Sequence, residues 1–188
     1  LVTIEGLTTA GAYTITVADD GGSQTVNAND LVGVLAKVTG TGTVKLTTNV
    51  TALSGTYANV LAVYNSGVIS EGLGNEAVTV TDQITVAQAN ALDQKTSGTI
   101  TATINTTDMA TLNTLTLNTD NAGAAVAHAY TITVGDDSVD ADKLVLLDSK
   151  TSVDVTASAA TKITGTLAGI KAAYAASDLG NPTILGIG

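Results

Sequence analysis

Internal repetition limits what this chain can fold into more than any other feature of its sequence. Residues 13–20 read YTITVADD and return at 130–137 as YTITVGDD. Residues 93–97, DQKTS, return at 148–152 as DSKTS, and residues 55–60, GTYANV, return at 165–170 as GTLAGI. The offsets are 117, 55 and 110 residues, which indicates a unit of about 55 residues used three times. Repeats of this length predict stacked supersecondary units rather than one globular core.

Strand patterns alternate with short helical patterns along the chain. Alternating β-branched residues predict strands at 2–5, 13–17, 43–48, 77–81, 99–104, 130–134, 153–157 and 183–187. Apolar residues at helical spacing predict helices over 29–38, 56–64, 87–94, 109–115, 141–148 and 167–176. Asn27, Asn29 and Asp140 stand where helix N-caps are needed. Strands that are joined through helices pair in parallel, by right-handed crossovers.

Two architectures fit this order of elements. One is an α/β solenoid whose turns each contribute one strand and one short helix, and the other is a pair of compact α/β lobes. The repeats favour the solenoid. We therefore predict an α/β fold, a repeat solenoid of parallel β-strands alternating with short helices and open at both ends, as a single domain over 1–188. Its repeats are expected at 13–75, 76–128 and 129–188, after an N-terminal extension at 1–12.

The predicted strands carry aliphatic residues on one face and threonine on the other. The threonines lie at Thr79, Thr81, Thr99, Thr101, Thr103, Thr131 and Thr133. Both faces of a parallel sheet are normally covered and apolar. One face of this sheet is therefore expected to meet water or a polar partner. Ranks of threonine leave ice binding open, although Lys45 and Asp154 interrupt them and threonine is also the ordinary residue of a solvent-facing strand.

The composition excludes several classes of partner. The chain has no Arg, Cys, Trp or Phe, one His and a net charge of -10. Without Arg the commonest means of holding phosphate is missing, and the negative charge disfavours nucleic acid and anionic membrane surfaces. No apolar run is long enough for a membrane span. Because the first residue is Leu and no signal peptide follows, we expect a processed mature protein or a fragment of a longer one.

Residues 78–102 read VTVTDQITVAQANALDQKTSGTITA, and the repeat-like parts of the sequence together cover most of the chain after Tyr13. Residues 78–102 are similar to the Thr/Ala/Asp-rich repeats of very large extracellular surface proteins of bacteria, particularly marine cyanobacteria, and residues 130–174 resemble those repeats in the same way. The resemblance implies a location outside the cell or at its surface, and a structural or adhesive role. It supplies no catalytic residues.

Acidic residues form the strongest candidate for a ligand site. Asp19, Asp20, Asp136, Asp137 and Asp140 are the type of ligand that calcium prefers. Their spacing matches neither an EF-hand nor a calcium-binding nonapeptide, so solvated turn and helix-cap acids are the alternative interpretation. Calcium is the one metal left open, and no other cofactor is expected.

The single imidazole, His128, carries little expectation of chemistry. One His cannot build a typical zinc site, and a catalytic His needs a carboxylate to orient it. We therefore expect His128 to be a packed or capping residue and the chain to have no catalytic residues. An enzyme would require a cleft that gathers Asp136, Asp137 and His128.

Both predicted terminal strands are apolar, although repeat proteins usually carry polar caps at their ends. Val2 and Ile4 lie in the first strand, and Ile184, Leu185 and Ile187 in the last. These five residues are the candidate self-assembly residues. Uncapped strands indicate either a segment of a longer array or subunits that pair head to tail.

The sequence therefore predicts a non-enzymatic, secreted structural protein. Its subunits would associate end to end into an extracellular filament, sheath or surface layer. The alternative is a repeat module of a large surface adhesin that binds glycan, calcium or ice.

Overall fold

The computed structural model describes residues 9–17, 22–117, 125–177 and 183–187. Within these ranges the chain forms twelve strands and six short helices. The strand pairs within each of its two compact units are parallel. The prediction of an α/β fold with parallel strands is therefore confirmed.

The chain divides into two compact units. Unit 1 comprises Leu1–Asp82 and Lys95–Thr99, and unit 2 comprises Gln83–Gln94 and Ile100–Gly188. The division of the sequence into three repeats remains a prediction, because this partition follows spatial proximity rather than sequence similarity.

Unit 1 contains two ladders of parallel strands and two helices. Its elements in chain order are β1 (Thr14–Val17), β2 (Gln24–Asn27), α1 (Ala28–Leu35), β3 (Thr43–Leu46), β4 (Val50–Gly55), α2 (Tyr57–Tyr64), β5 (Ile69–Glu71) and the first residues of β6 (Ala77–Ile84). β1, β3 and β5 form one ladder, and β2, β4 and β6 form the other. Val44, Leu46, Leu53 and Val60 are fully buried between these elements, as expected for the apolar face of each strand.

The first helix of unit 1 shows how the sequence fixes its elements. Asn27 caps α1 through its side chain, which accepts a hydrogen bond from the Asn29 amide at 2.8 Å. The predicted N-cap Asn27 is thus confirmed, whereas Asn29 lies inside the helix. Its Oδ1 instead accepts a hydrogen bond from Asn59 Nδ2 in α2 at 2.6 Å. A side-chain amide pair therefore links the two helices.

Unit 2 also contains parallel strand pairs, together with four helices among its described residues. Its remaining elements are α3 (Val86–Asp93), β7 (Ile100–Ile104), α4 (Met109–Leu112), β8 (Ala129–Thr131), β9 (Ser138–Asp140), α5 (Ala141–Asp148), β10 (Val155–Thr156), β11 (Lys162–Thr164), α6 (Leu167–Ala176) and β12 (Ile184–Leu185). The parallel pairs are β7 with β8, β9 with β11, and β10 with β12. Tyr130, Ile132, Leu144 and Leu147 are completely buried in this unit.

The recurring order of elements differs from the predicted alternation of one strand and one helix. Among the described elements, two strands precede five of the six helices. The strands that the sequence did not reveal are β2, β4, β5, β9 and β11. β5, β9 and β11 have 3 residues each, too few for an alternating pattern to stand out. We call two strands followed by a helix a coil.

Two pairs of coils are related by sequence. Coil A1 (β1, β2, α1) and coil B1 (β3, β4, α2) pair in unit 1, while coil A2 (β8, β9, α5) and coil B2 (β10, β11, α6) are neighbours in unit 2. A1 and A2 share the pentapeptide YTITV, at residues 13–17 and 130–134. B1 and B2 share the Gly-Thr that opens the helical segment, at residues 55–56 and 165–166. The internal repeat is therefore expressed as two equivalent pairs of coils.

Candidate functional site

The predicted calcium ligands that the structure describes form hydrogen bonds with different elements. Asp136 Oδ2 accepts a hydrogen bond from the Met109 amide, the first of α4, at 2.7 Å. Asp140 caps α5, accepting from the amides of Asp142 and Lys143 at 3.0 and 3.3 Å. Both carboxylates thus satisfy helix N-termini.

The other predicted ligands add no cluster. The Asp137 backbone carbonyl accepts hydrogen bonds from two amides of the following coil, at 2.8 and 3.0 Å. Asp19 and Asp20 lie outside the described residues. Throughout the described ranges, no three acidic or imidazole side chains come together in a way that could hold a metal ion. The acids that are described act as caps and turn residues, which was the alternative interpretation, and a calcium site remains a prediction.

His128 is completely buried in unit 2 and fully engaged. Its Nδ1 accepts a hydrogen bond from the Ile100 amide at 3.0 Å, so that nitrogen carries no proton. Its Nε2 lies 2.8 Å from Asp93 Oδ1 and donates to it. Thr116 Oγ1 donates to the other Asp93 oxygen at 2.6 Å. The prediction of a packed histidine is confirmed.

This cluster does not have the order of a nucleophilic triad. In a triad the imidazole lies between the hydroxyl and the carboxylate, so that it can take the hydroxyl proton. Here Asp93 lies between Thr116 and His128. The imidazole instead substitutes for a strand partner, because its Nδ1 satisfies a backbone amide of β7. Its role is to join β7, α3 and the strand that continues into β8.

Unit 1 contains a second buried acid that the sequence did not single out. Glu76 is 1% exposed, and its carboxylate accepts hydrogen bonds from the Tyr64 hydroxyl and from the amides of Gly74 and Asn75. Burial and the nearby Glu76 charge raise the pKa of the Tyr64 phenol far above its ordinary value. The phenol is therefore a permanent donor, and the cluster is structural.

Residues 72–75, Gly-Leu-Gly-Asn, form a glycine-rich turn that follows β5. The glycines let the chain reverse closely against β3. Gly72 has a φ of +94°, and a Cβ there would lie 2.2 Å from the Leu46 carbonyl oxygen. Only glycine fits this approach.

The candidate self-assembly residues at the C-terminal strand are described, whereas Val2 and Ile4 lie outside the described residues. Ile184 and Leu185 form β12, which pairs with β10. Ile184 and Ile187 are buried, and Leu185 is 38% exposed. Three other large apolar side chains in the described ranges are at least as exposed as Leu185. They lie on the helices α5 and α6 of the same unit, and they are Leu146, Leu167 and Tyr174.

β1 and β12 both have an outer edge with no partner strand among the described residues. A strand edge of this kind presents unpaired amide and carbonyl groups and is a template for another strand. Coil A2 shows the alternative. Its YTITV strand has β7 on one side and β10 on the other, through the β7–β8 pair and the bridge between Thr133 and Thr156.

Identical residues of the two YTITV strands also differ in burial. Tyr130 and Ile132 are completely buried in coil A2. Their equivalents in coil A1, Tyr13 and Ile15, are only half-buried. The apolar face of the YTITV strand in unit 1 is therefore incompletely covered, and the outer edge of β1 can serve as a template for another strand.

The threonine face is present as the sequence predicted. Thr79, Thr101, Thr103 and Thr131 are all exposed, between buried apolar residues. Thr103 lies directly opposite Thr131 on the next strand of unit 2. The alternation of period two is the cause, because successive side chains of a strand point to opposite faces.

Comparisons with known proteins add no constraint to this picture. No protein-family model, no curated protein and no solved structure matches the chain. Among the described residues no helix has the length and apolarity needed to cross a membrane, the longest being α6 with 10 residues.

Proposed function

We propose that this chain is a non-enzymatic structural protein of the cell surface or the extracellular space, whose copies assemble end to end into a filament, sheath or surface layer. The observation that carries the proposal is the incomplete coverage of β1. The same pentapeptide is buried in coil A2 between two strands, whereas in coil A1 it is half-exposed and has one partner strand in the part of the chain that the structure describes. A second copy that adds a strand would bury it.

A repeat solenoid is the architecture that suits this role. Within each unit the paired strands lie a nearly constant distance apart in sequence, from 24 residues for Ser138 and Lys162 to 29 for Thr14 and Thr43. A constant offset between parallel neighbours is what stacked coils produce. We infer that each further copy extends this stacking, which is the condition for a heterologous contact that repeats.

The chemistry of the described clusters supports a role without catalysis. The His128–Asp93 pair is buried and occupied in holding backbone groups. The net charge of -10 gives copies a mutual repulsion that keeps unassembled chains in solution and that salt screens. Assembly is therefore expected to increase with ionic strength.

A proline substitution tests the proposal. Thr16 lies on β1 with its amide on the outer edge, so Thr16→Pro removes one donor of that edge without removing a bond to β3. We expect wild-type chains to form polymers in electron microscopy and sedimentation, and Thr16→Pro to remain monomeric. Thr16→Val is the matched control, because it keeps the amide and loses only the hydroxyl. Equal assembly of all three, or a wild type that stays monomeric at every salt concentration, would contradict the proposal.

An adhesin module that binds ice or glycan is a second candidate, favoured by the exposed rank of Thr103 and Thr131. Such a module would be monomeric when purified alone. Substituting Thr103 and Thr131 by lysine would then abolish ice shaping or glycan retention while leaving the monomer folded. If the same variant instead leaves assembly intact, the threonine face has no part in the polymer.

A further inference from the structure

The outer edge of β1 presents a defined set of backbone groups. The Tyr13 and Val17 carbonyls accept hydrogen bonds from the Thr43 and Thr47 amides, at 2.8 and 3.1 Å. Residues 13, 15 and 17 therefore face β3. Since backbone groups alternate along a strand, the amide and carbonyl groups of Thr14 and Thr16 point the other way, toward the edge with no described partner.

The outer edge of β12 is complementary. The Thr183 and Leu185 carbonyls accept from the Val155 and Ala157 amides, at 2.7 and 2.8 Å. Residues 183 and 185 therefore face β10. The amide and carbonyl of Ile184 point away from β10, toward an edge that no described strand occupies.

Only one parallel register uses these groups together. A residue of a parallel strand bonds to the two residues that flank its partner. Ile184 can therefore donate to the Thr14 carbonyl and accept from the Thr16 amide only if it lies opposite Ile15. This register also places Ile184 and Ile15 on the apolar faces of their strands, and Leu185 opposite Thr16 on the exposed faces.

We propose that β12 of one copy pairs in parallel with β1 of the next, with Ile184 opposite Ile15 and Leu185 opposite Thr16. This inference rests on the proposed end-to-end assembly and specifies the contact that makes it. It explains the incomplete burial of Tyr13 and Ile15, since β12 would occupy the side that β7 occupies beside the same pentapeptide in coil A2. It also covers Leu185, which is 38% exposed in the single chain.

A second copy is the occupant that the strand directions and the free backbone groups favour. β12 is parallel to β10 and keeps the Ile184 amide and carbonyl for another strand. These groups match the free Thr14 carbonyl and Thr16 amide of β1 in a parallel pair. The two edges are therefore complementary between copies of the same chain.

Cysteine cross-linking tests the register directly, because the chain has no cysteine of its own. Thr16→Cys and Leu185→Cys are prepared as separate proteins, mixed under assembly conditions and oxidised. Directly opposed strand residues lie within the Cα separation that a disulfide tolerates. We expect a disulfide-linked dimer with one chain of each kind, several-fold more abundant than in either variant alone.

Two control pairs decide the outcome. Thr14→Cys with Leu185→Cys is two residues out of register and should cross-link several-fold less. Thr103→Cys with Leu185→Cys places the thiol on an exposed face of β7, which has a partner strand, and should give background only. Each variant is first checked for assembly by sedimentation beside the wild type.

The results separate the two proposals. Assembly without the in-register dimer, or with equal yields from the Thr14 and Thr16 pairs, overturns this contact and leaves end-to-end assembly standing. Wild-type chains that never assemble overturn the proposed function itself. The in-register dimer in excess over both controls establishes the contact.

Discussion

Coils A1 and A2 carry the same YTITV strand in different surroundings. In A2 the strand lies between two neighbours, and Tyr130 and Ile132 are completely buried. In A1 it has one neighbour among the described residues, and Tyr13 and Ile15 are half-buried. The comparison teaches that the burial of a repeat is decided by the coil beside it and not by its own residues.

The residues that precede the pentapeptide also differ between the two coils. Two positions before Tyr130 stands His128, which reaches β7 through the Ile100 amide, whereas Gly11 stands two positions before Tyr13. A polar side chain thus reinforces the pairing where a preceding strand exists. The outer edge of β1 presents the backbone groups of Thr14 and Thr16, which suits a contact formed between molecules.

The largest expected effect comes from removing that reinforcement. His128→Ala removes the hydrogen bonds that the imidazole makes with Asp93 Oδ1 and with the Ile100 amide. Each buried polar group that loses such a bond costs about 1–3 kcal/mol, and more when it is charged, and the truncation adds the cost of a cavity. We expect a loss of this size in the free energy of unfolding measured in urea.

The matched substitution in A1 is Gly11→Ala. A Cβ at Gly11 would lie 3.0 Å from the Tyr13 ring, which is half-buried and has room to move, so the expected change is small. Comparable losses for Gly11→Ala and His128→Ala would show that the two coils do not differ as described.

The next largest effect is a difference in stability between alanine variants of the tyrosines that open the two pentapeptides. Truncating a completely buried aromatic side chain to alanine costs about 3–5 kcal/mol. Tyr130→Ala should lose this amount, and Tyr13→Ala about 1 kcal/mol in the monomer, because Tyr13 keeps much of its exposure. Urea unfolding of both variants at low concentration measures the difference. In the assembled state the two values should converge, and a Tyr13 value that does not change on assembly would contradict burial by a second copy.

The smallest effect concerns the links between paired helices. Unit 1 uses the neutral Asn29–Asn59 pair, whereas Asp142 of α5 accepts hydrogen bonds from the amide and hydroxyl of Thr166 at 2.9 and 2.8 Å. These bonds hold the pKa of Asp142 below its ordinary value of 3.8. A lowered pKa stabilises the fold at neutral pH, and the contribution disappears as pH falls below the ordinary value.

Asp142→Asn removes this contribution without changing the size of the side chain. We expect the variant to be slightly less stable than the wild type at neutral pH, and the difference to vanish in acid. Asn29→Ala should instead give a loss that does not depend on pH. Urea midpoints of the three proteins across the acid range measure this, and a difference for Asp142→Asn that is constant with pH would contradict the assigned contact.

Much of the fold could be predicted because its signals are local. α5 and α6 begin and end where the sequence predicted, since capping side chains of Asp140 and Thr166 define their starts. The two-strand coil was missed because strands such as β9 are too short to show a period. Glu76 was missed because its burial depends on Tyr64, which lies 12 residues away in the chain and in another element.

The candidate site was visible in part. The repetition of YTITV is a property of the sequence, and the exposed threonine face follows from alternation. The unequal burial of Tyr13 and Tyr130 is not visible there, because identical residues carry identical propensities. The apolar character of the last predicted strand indicated an edge, but the structure was needed to show which backbone groups of Ile184 are free of β10.

Amide hydrogen exchange of the two pentapeptides tests the central claim most directly. In a dilute monomer we expect the Thr14 and Thr16 amides to exchange fast, and the Thr131 amide, the equivalent of Thr14 on a strand paired with β7, to exchange slowly. On assembly the Thr14 and Thr16 amides should become protected to the level of the Thr131 amide. Slow exchange already present in the monomer, or fast exchange that persists in the polymer, would contradict the account.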